Sequence, residues 1–243
     1  MSASRGSVAV LGAGDHIGAG IVRKFAAEGF AVHAGRRNGG KLAPLLGGAV
    51  TGRSLDARQP EDVAAFLAEA EAIAPLALVG FNVGANVRFP LAETTDRVFR
   101  KVWEMACFAG FVTLREAARI MEPRGAGKIF VTGATAALRG NPGYAAFAAA
   151  KAGLRATAQS AARELWPRGI HVAHLVIDAG VDTAFVRARI AEAEGAAALE
   201  NLDPDRLMPP QAIADAYWAL YNQPRSAWTF EQELDLAHYH GSL

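Results

Sequence analysis

A chain of 243 residues, 51% of them hydrophobic, is long enough to bury one large core, and its 25 basic and 24 acidic residues leave a formal charge of +1. Near-neutrality argues against nucleic acid or an anionic membrane as partner and leaves a small-molecule substrate. Cys107 is the only cysteine, which excludes an internal disulfide, and the N-terminal apolar run is too short for a signal peptide, so a cytoplasmic protein with no membrane span is expected.

The first structured stretch is Ser7 to Gly20, SVAVLGAGDHIGAG. Val8, Val10 and Leu11 predict a strand buried on both faces, and Ile17, Ile21 and Phe25 recur at helical spacing up to Gly29, a helix stop. Backbone without Cβ atoms can close on a phosphate, and the free N–H groups of a helix's first turn attract an anion. Gly12, Gly14 and Gly18, with Ile17 opening the helix, are therefore candidates for cradling a dinucleotide pyrophosphate. The alternative is a tight turn that binds nothing. Asp15 and His16 are placed to cap the helix.

Strand signals follow at Phe30 to Gly35, Ala49 to Ser54, Leu76 to Phe81, Lys128 to Val131 and Ile170 to Ile177. Helical periodicity fills the intervals at 60–73, 95–121, 145–165 and 184–199, with a further helix near 210–222. This βαβα succession, without linker or repeat, predicts an α/β fold in one domain: a mostly parallel sheet, helices on both faces, and a ligand at the carboxyl ends of the strands.

The residue after the second strand chooses between cofactors. A domain that reads NAD usually carries an acid there, whereas this chain has Gly35 followed by Arg36 and Arg37. Guanidinium donors match phosphate oxygens two at a time, so we read a 2′-phosphate and NADP(H); the alternative is a pair of solvated loop arginines. Asp56, after the third strand, is either an acceptor for an adenine amino group or a turn residue.

The order LGAGDHIG, GRR, LDA, FNVGA, a threonine-containing end of strand five and a lysine-bearing helix resembles the short-chain dehydrogenase/reductase family over nearly the whole chain. The resemblance implies a Rossmann-like three-layer fold with a seven-stranded sheet, NAD(P)(H), and carbonyl/alcohol redox chemistry on a small substrate. By it, Asn82 and Gly84 match the stretch beneath the adenine ring, with Phe81 departing at its first asparagine. His16 stands where the middle glycine of the turn would be. Val181 and Thr183 match the segment that clasps the nicotinamide amide, although Asp178-Ala179 replaces the Pro-Gly before it.

In the family a Tyr-x-x-x-Lys pair does the proton chemistry: the lysine lowers the pKa of the phenol and binds the nicotinamide ribose. Here the segment is Phe147-Ala148-Ala149-Ala150-Lys151, so Lys151 remains and the proton donor does not. Ala134 occupies the place of the substrate-orienting serine, and Cys107 that of an asparagine holding a water relay. Loss of one positioned acid or base costs about a hundred- to ten-thousand-fold in rate, so ordinary carbonyl reduction is expected to be crippled. Two substitutes are open: Tyr144, one turn before Phe147 if the helix reaches back to it, and the hydroxyl of Thr132 or Thr135. Against these stand a loop aromatic that merely covers the pocket and threonines that cap strand five.

The expected function is an NADP(H)-dependent oxidoreductase acting on a small carbonyl/alcohol, imine or enone through an atypical proton donor. A non-catalytic NADP(H)-binding sensor or structural subunit is the alternative, and a lyase or isomerase with Asp178 or Asp182 as base is a third reading. Leu154, Ala158, Ala161 and Leu165 would cover the sheet, and Ala146, Ala149, Ala150, Gly153 and Thr157 make the other faces of that helix small and uncharged. That predicts a homo-oligomer, dimer or tetramer, joined through helices 95–121 and 145–165. The last third supplies Phe185, Trp218, Trp228, Phe230 and Tyr239 to a lid, core or subunit contact. His238 and His240 have no carboxylate pattern beside them, and no metal site is expected.

Overall fold

Apolar strands that do not alternate need cover on both faces, and the computed structural model, which describes residues 5–237, shows how this chain provides it. Strands β1 (Ser7–Leu11), β2 (Ala31–Arg36), β3 (Val50–Ser54), β4 (Leu76–Phe81), β5 (Gly127–Thr132), β6 (Ile170–Asp178) and β7 (Glu231–Asp235) form one sheet. Its order is β3-β2-β1-β4-β5-β6-β7, and every pairing is parallel. The helices are α1 (Ile17–Ala27), α2 (Pro60–Ile73), α3 (Asp96–Trp103), α4 (Ala109–Met121), α5 (Ala145–Leu165), α6 (Ala184–Glu194), α7 (Ala197–Glu200) and α8 (Pro210–Tyr221). This is the Rossmann-like three-layer arrangement that the resemblance implies.

Two apolar cores sit on opposite faces of the sheet. On one, α1 and α8 bring Ile21, Phe25, Ile213 and Tyr217 onto Val8, Val10, Leu78 and Phe130. On the other, α2, α4 and α5 bring Phe66, Val112 and Leu154 onto Leu11, Val79, Phe81 and Val131. The chain winds outward from β1 to β3 and then returns to lay β4 beside β1, so the winding reverses between those two strands. A crevice opens at their carboxyl ends, where sheets of this kind place a ligand.

Four details differ from the sequence expectation. The strand β7 carries Glu231-Gln232-Glu233 and has no apolar alternation, so only its ladder with β6 identifies it. The helix expected over 95–121 contains a π-turn at Glu104–Phe108 between α3 and α4. The helix expected over 184–199 breaks at Gly195, whose φ of 89° ends α6 before α7 begins. Ala162 is buried beside Leu154, Ala158 and Leu165, with Ala161 half-buried against the same core. His238, Tyr239 and His240 lie outside the described residues. No helix among the described residues is long and apolar enough to cross a membrane.

Candidate active site

The glycine turn is built by close backbone approach. Gly12 has φ +89°, and a Cβ there would lie 2.6 Å from the carbonyl oxygen of Asn82. The amide of Asn82 donates to the Gly12 carbonyl at 3.1 Å, which ties the turn to the end of β4. A Cβ on Gly18 would collide with the Gly12 carbonyl, so α1 can start this close to the strand only without one. The first-turn N–H groups of a helix have no intrahelical acceptor and are open to an anion.

The expected cap is absent. His16 sits at the N-cap position without a side-chain hydrogen bond, and Asp15 turns away to accept from Arg36 Nη1 at 2.5 Å. That guanidinium is the main reason the Asp15 carboxyl is held below its usual range. Arg36 makes its two hydrogen bonds through Nη1, to Asp15 and to the Lys41 carbonyl. Asp56 adopts the turn role: its Oδ1 accepts from the Arg58 N–H at 3.1 Å, and the Arg58 side chain bonds both carboxylate oxygens, which lowers its pKa.

At the other end of the crevice Lys151 comes off α5 and is 4% exposed. Its Nζ donates to the Thr132 carbonyl at 2.7 Å and lies 5.9 Å from the centroid of the Phe147 ring, one turn earlier. With no carboxylate beside it, burial pushes its pKa down to about 8. The Thr132 hydroxyl is shared with Tyr217 at 2.7 Å and faces α8. Thr135 Oγ1 donates to Asp178 at 2.5 Å, and Arg139 holds the other Asp178 oxygen at 2.8 Å. The Thr135 proton is thus directed at Asp178, while both threonines line the cleft. Asp178, expected as a possible base, is 2% exposed and occupied on both oxygens, while Asp182 is forked by Arg187.

Tyr144 precedes α5 as its N-cap residue with φ −110°, so it does not share the helix face of Phe147, yet its half-buried side chain lines the same cleft. Behind the site His174 bonds Glu231 at 2.9 Å, and burial lowers its pKa to about 4, leaving a neutral imidazole at pH 7. Cys107 lies in the π-turn, and burial raises its thiol pKa.

These groups surround one cleft of about 880 Å³. Gly12, Gly14, Ile17, Gly18, Asn82, Gly84, Thr135, Tyr144, Lys151, Val181 and Thr183 all line it, while Arg36, Arg37 and Asp56 lie outside its wall. Sequence reasoning missed three further wall residues, Arg88, Arg139 and Arg189. The signal for the first was its place four residues beyond Gly84. Among the described residues no group of three or more His, Cys, Asp or Glu side chains is arranged to hold a metal.

The family model for short chain dehydrogenase matches residues 7–194. The chain belongs to the short chain dehydrogenase family. Among curated relatives it is 31% identical over 201 residues to the 3-oxoacyl-(acyl-carrier-protein) reductase MabA of Mycobacterium avium, covering 83% of this chain and 76% of the relative. It is 33% identical over 170 residues to the L-tagatose-forming galactitol 2-dehydrogenase of Cereibacter sphaeroides, covering 68% and 67%. The crystal structure of a short-chain dehydrogenase from Rhodopseudomonas palustris superposes with a TM-score of 0.81 at 59% identity over 95% of this chain and 98% of that one. ElxO with NADP bound, 18% identical over 94% and 96% of the two chains, shares the fold with a TM-score of 0.82. The family assignment makes the chain an oxidoreductase of short-chain dehydrogenase type.

Proposed function

We propose that this protein is an NADP(H)-dependent oxidoreductase that reduces a small carbonyl, imine or enone, with Tyr144 standing in for the absent phenol. The observation that carries the reading is Lys151. An ammonium has three donors, and here one is spent on the Thr132 carbonyl, leaving two for ribose hydroxyls beside Phe147. NADPH would supply the hydride. Gly12, Gly14, Gly18 and the Ile17 N–H would hold its pyrophosphate, which suits a turn in which Gly12 and Gly18 leave no room for a Cβ. Asn82 and Gly84 would underlie the adenine, and Val181 and Thr183 would clasp the nicotinamide amide. Arg36, whose Nη2 and Nε have no partner among the described residues, and Arg37 beside it would meet the 2′-phosphate; NADP is also the ligand of the ElxO structure. Thr135 positions Asp178 and Arg139 in this reading and transfers no proton.

Single-turnover oxidation of NADPH against a panel of carbonyls, imines and enones tests it. We expect turnover of at least one class that falls about a hundredfold in Tyr144→Phe, the loss typical of a positioned acid. Turnover that survives Tyr144→Phe would overturn the assignment of the donor. The three altered tetrad positions favour a second reading, a protein that binds NADPH without chemistry, and tight binding with no turnover on any class would select it. We also propose a homo-oligomer joined through α3, α4 and α5, because Trp103 and Phe111 are 42% and 41% exposed there. A monomer by light scattering would exclude it.

A further inference from the structure

We propose that the substrate carries an oxyanion, carboxylate or phosphate, which Arg88 and Arg189 hold at the catalytic end of the cleft. The inference rests on reading that cleft as the oxidoreductase site, and it names the substrate class. It comes from accounting for charge along the wall. Asp15 is paired with Arg36, Glu194 with Arg206, and Arg139 with Asp178. Lys151 is turned into the Thr132 carbonyl. Every acid of the wall thus has its own cation. Arg88 and Arg189 have no carboxylate or carbonyl partner among the described residues; each faces only an aromatic ring, Tyr144 at 5.9 Å and Phe185 at 6.0 Å.

Arg88 is also seated rather than loose. The Phe89 N–H donates to the Gly143 carbonyl at 2.9 Å, stapling the loop after β4 to the loop before α5. Gly143 has φ +84°, and a Cβ there would stand 3.0 Å from Arg88 Cγ, so the second loop is shaped to receive the arginine stem. A guanidinium over a ring keeps its in-plane N–H groups free, and those groups match an oxyanion two at a time. Arg189 comes from α6, on the same wall as Val186 and Ile190. The glycine turn at the opposite end already suits the cofactor's phosphates, which leaves these two cations for the substrate. The same wall carries Val83, Ala134, Ala136, Phe147 and Ala179 as well as the amides of Asn86 and Asn141, and a neutral substrate would leave both guanidinium groups unused.

The test uses the full chain with NADPH bound and compares 2-oxo and 3-oxo acids with their methyl esters. We expect the acid to be preferred in kcat/KM by about thirtyfold, the order set by a charge-assisted bidentate contact, and Arg88→Gln to abolish that preference. Arg88→Lys, which keeps charge without the fork, should restore part of it. Arg163→Gln, an exposed arginine outside the cleft wall, should leave the ratio unchanged. A binding arm needs no chemistry: malonate and methyl phosphate are titrated into the NADPH complex and read by its fluorescence, the tighter of the two naming the oxyanion. Saturable binding that weakens about tenfold in Arg88→Gln supports the inference even if no carbonyl turns over, in which case the oxidoreductase reading alone fails. Equal turnover of acids and esters, unmoved by Arg88→Gln, overturns the inference and leaves the oxidoreductase reading standing.

Discussion

The two ends of the cleft are made of different material. At the glycine end the shape is backbone: Gly12 and Gly18 are fixed because a single carbon on either would run into the chain crossing it. At the lysine end the surface is side chain: Phe147 and Lys151 from α5 and Ala134 after β5 face the cleft, where the resemblance leads one to expect a tyrosine at 147 and a serine at 134. The glycine turn is therefore inseparable from the fold, whereas the lysine end is defined by which side chains α5 and the end of β5 carry. Four experiments bear on that contrast.

The largest effect is expected at the glycine end. Gly18→Ala would push its Cβ to within 2.7 Å of Ala13 Cα and into the Gly12 carbonyl, forcing the turn open. NADPH affinity by fluorescence titration should fall by more than about a hundredfold, the loss of several aligned anion contacts. Parent-like affinity would show that the cradle is not backbone-limited. Next in size is a gain at the other end. Phe147→Tyr should raise single-turnover reduction of a carbonyl by about tenfold, since a phenol one turn from Lys151 can exchange a proton. Adding Ala134→Ser should yield more than the product of the two single effects, because groups acting on one oxygen act as a unit.

Smaller effects separate the cofactor's parts. Arg36→Ala should weaken NADPH about tenfold more than NADH in parallel titrations; equal losses would leave the arginine with Asp15 as its only business. The smallest effect is the response to pH. Lys151 titrates at about 8, so its charge is present below that pH and lost above it. NADPH affinity should drop a few-fold as pH rises through about 8, and Lys151→Met should remove the step. Stability should move the opposite way. Between about pH 8 and the ordinary lysine value of 10.5 the unfolded chain binds more of this proton than the folded one, so unfolding free energy from denaturant titration should rise across that window.

What the sequence made legible was whatever is written in local pattern. The glycine turn, the strand ends at Gly12, Asn82 and Thr132, and the lysine on its helix all follow from spacing within one element. Partnerships formed across the chain were not legible. Nothing near Asp15 announces Arg36, twenty-one residues on, and Thr135 gives no sign that Asp178, forty-three residues later, takes its proton. The helix bounds 145–165 were legible, and they leave Tyr144 at the N-cap, outside the helix, so its place on the cleft wall comes from the loop before α5. The polar strand Glu231–Asp235 exists because β6 offers it an edge, and its glutamate is held by His174 and by Arg155 of α5. Arg88 needed Gly143 and Tyr144, more than fifty positions away, to become more than a surface cation.

Thr132 carries an obligation from each layer: its carbonyl receives Lys151 from α5, and its hydroxyl receives Tyr217 from α8 on the opposite face. Its neighbour Gly133 is pinned as well, since a Cβ there would strike the His174 imidazole and come within 2.9 Å of the Leu175 carbonyl. Two consecutive positions are thus constrained from both layers of the fold at once. Thr132→Ser preserves both links, whereas Thr132→Val strands a buried phenol at a cost of about 1–3 kcal/mol. The next position, Ala134, is half-buried against the cluster of Ala146, Phe147 and Ala150, so a lineage, or an engineer, that rewrites the chemistry there must fit the new side chain to that packing.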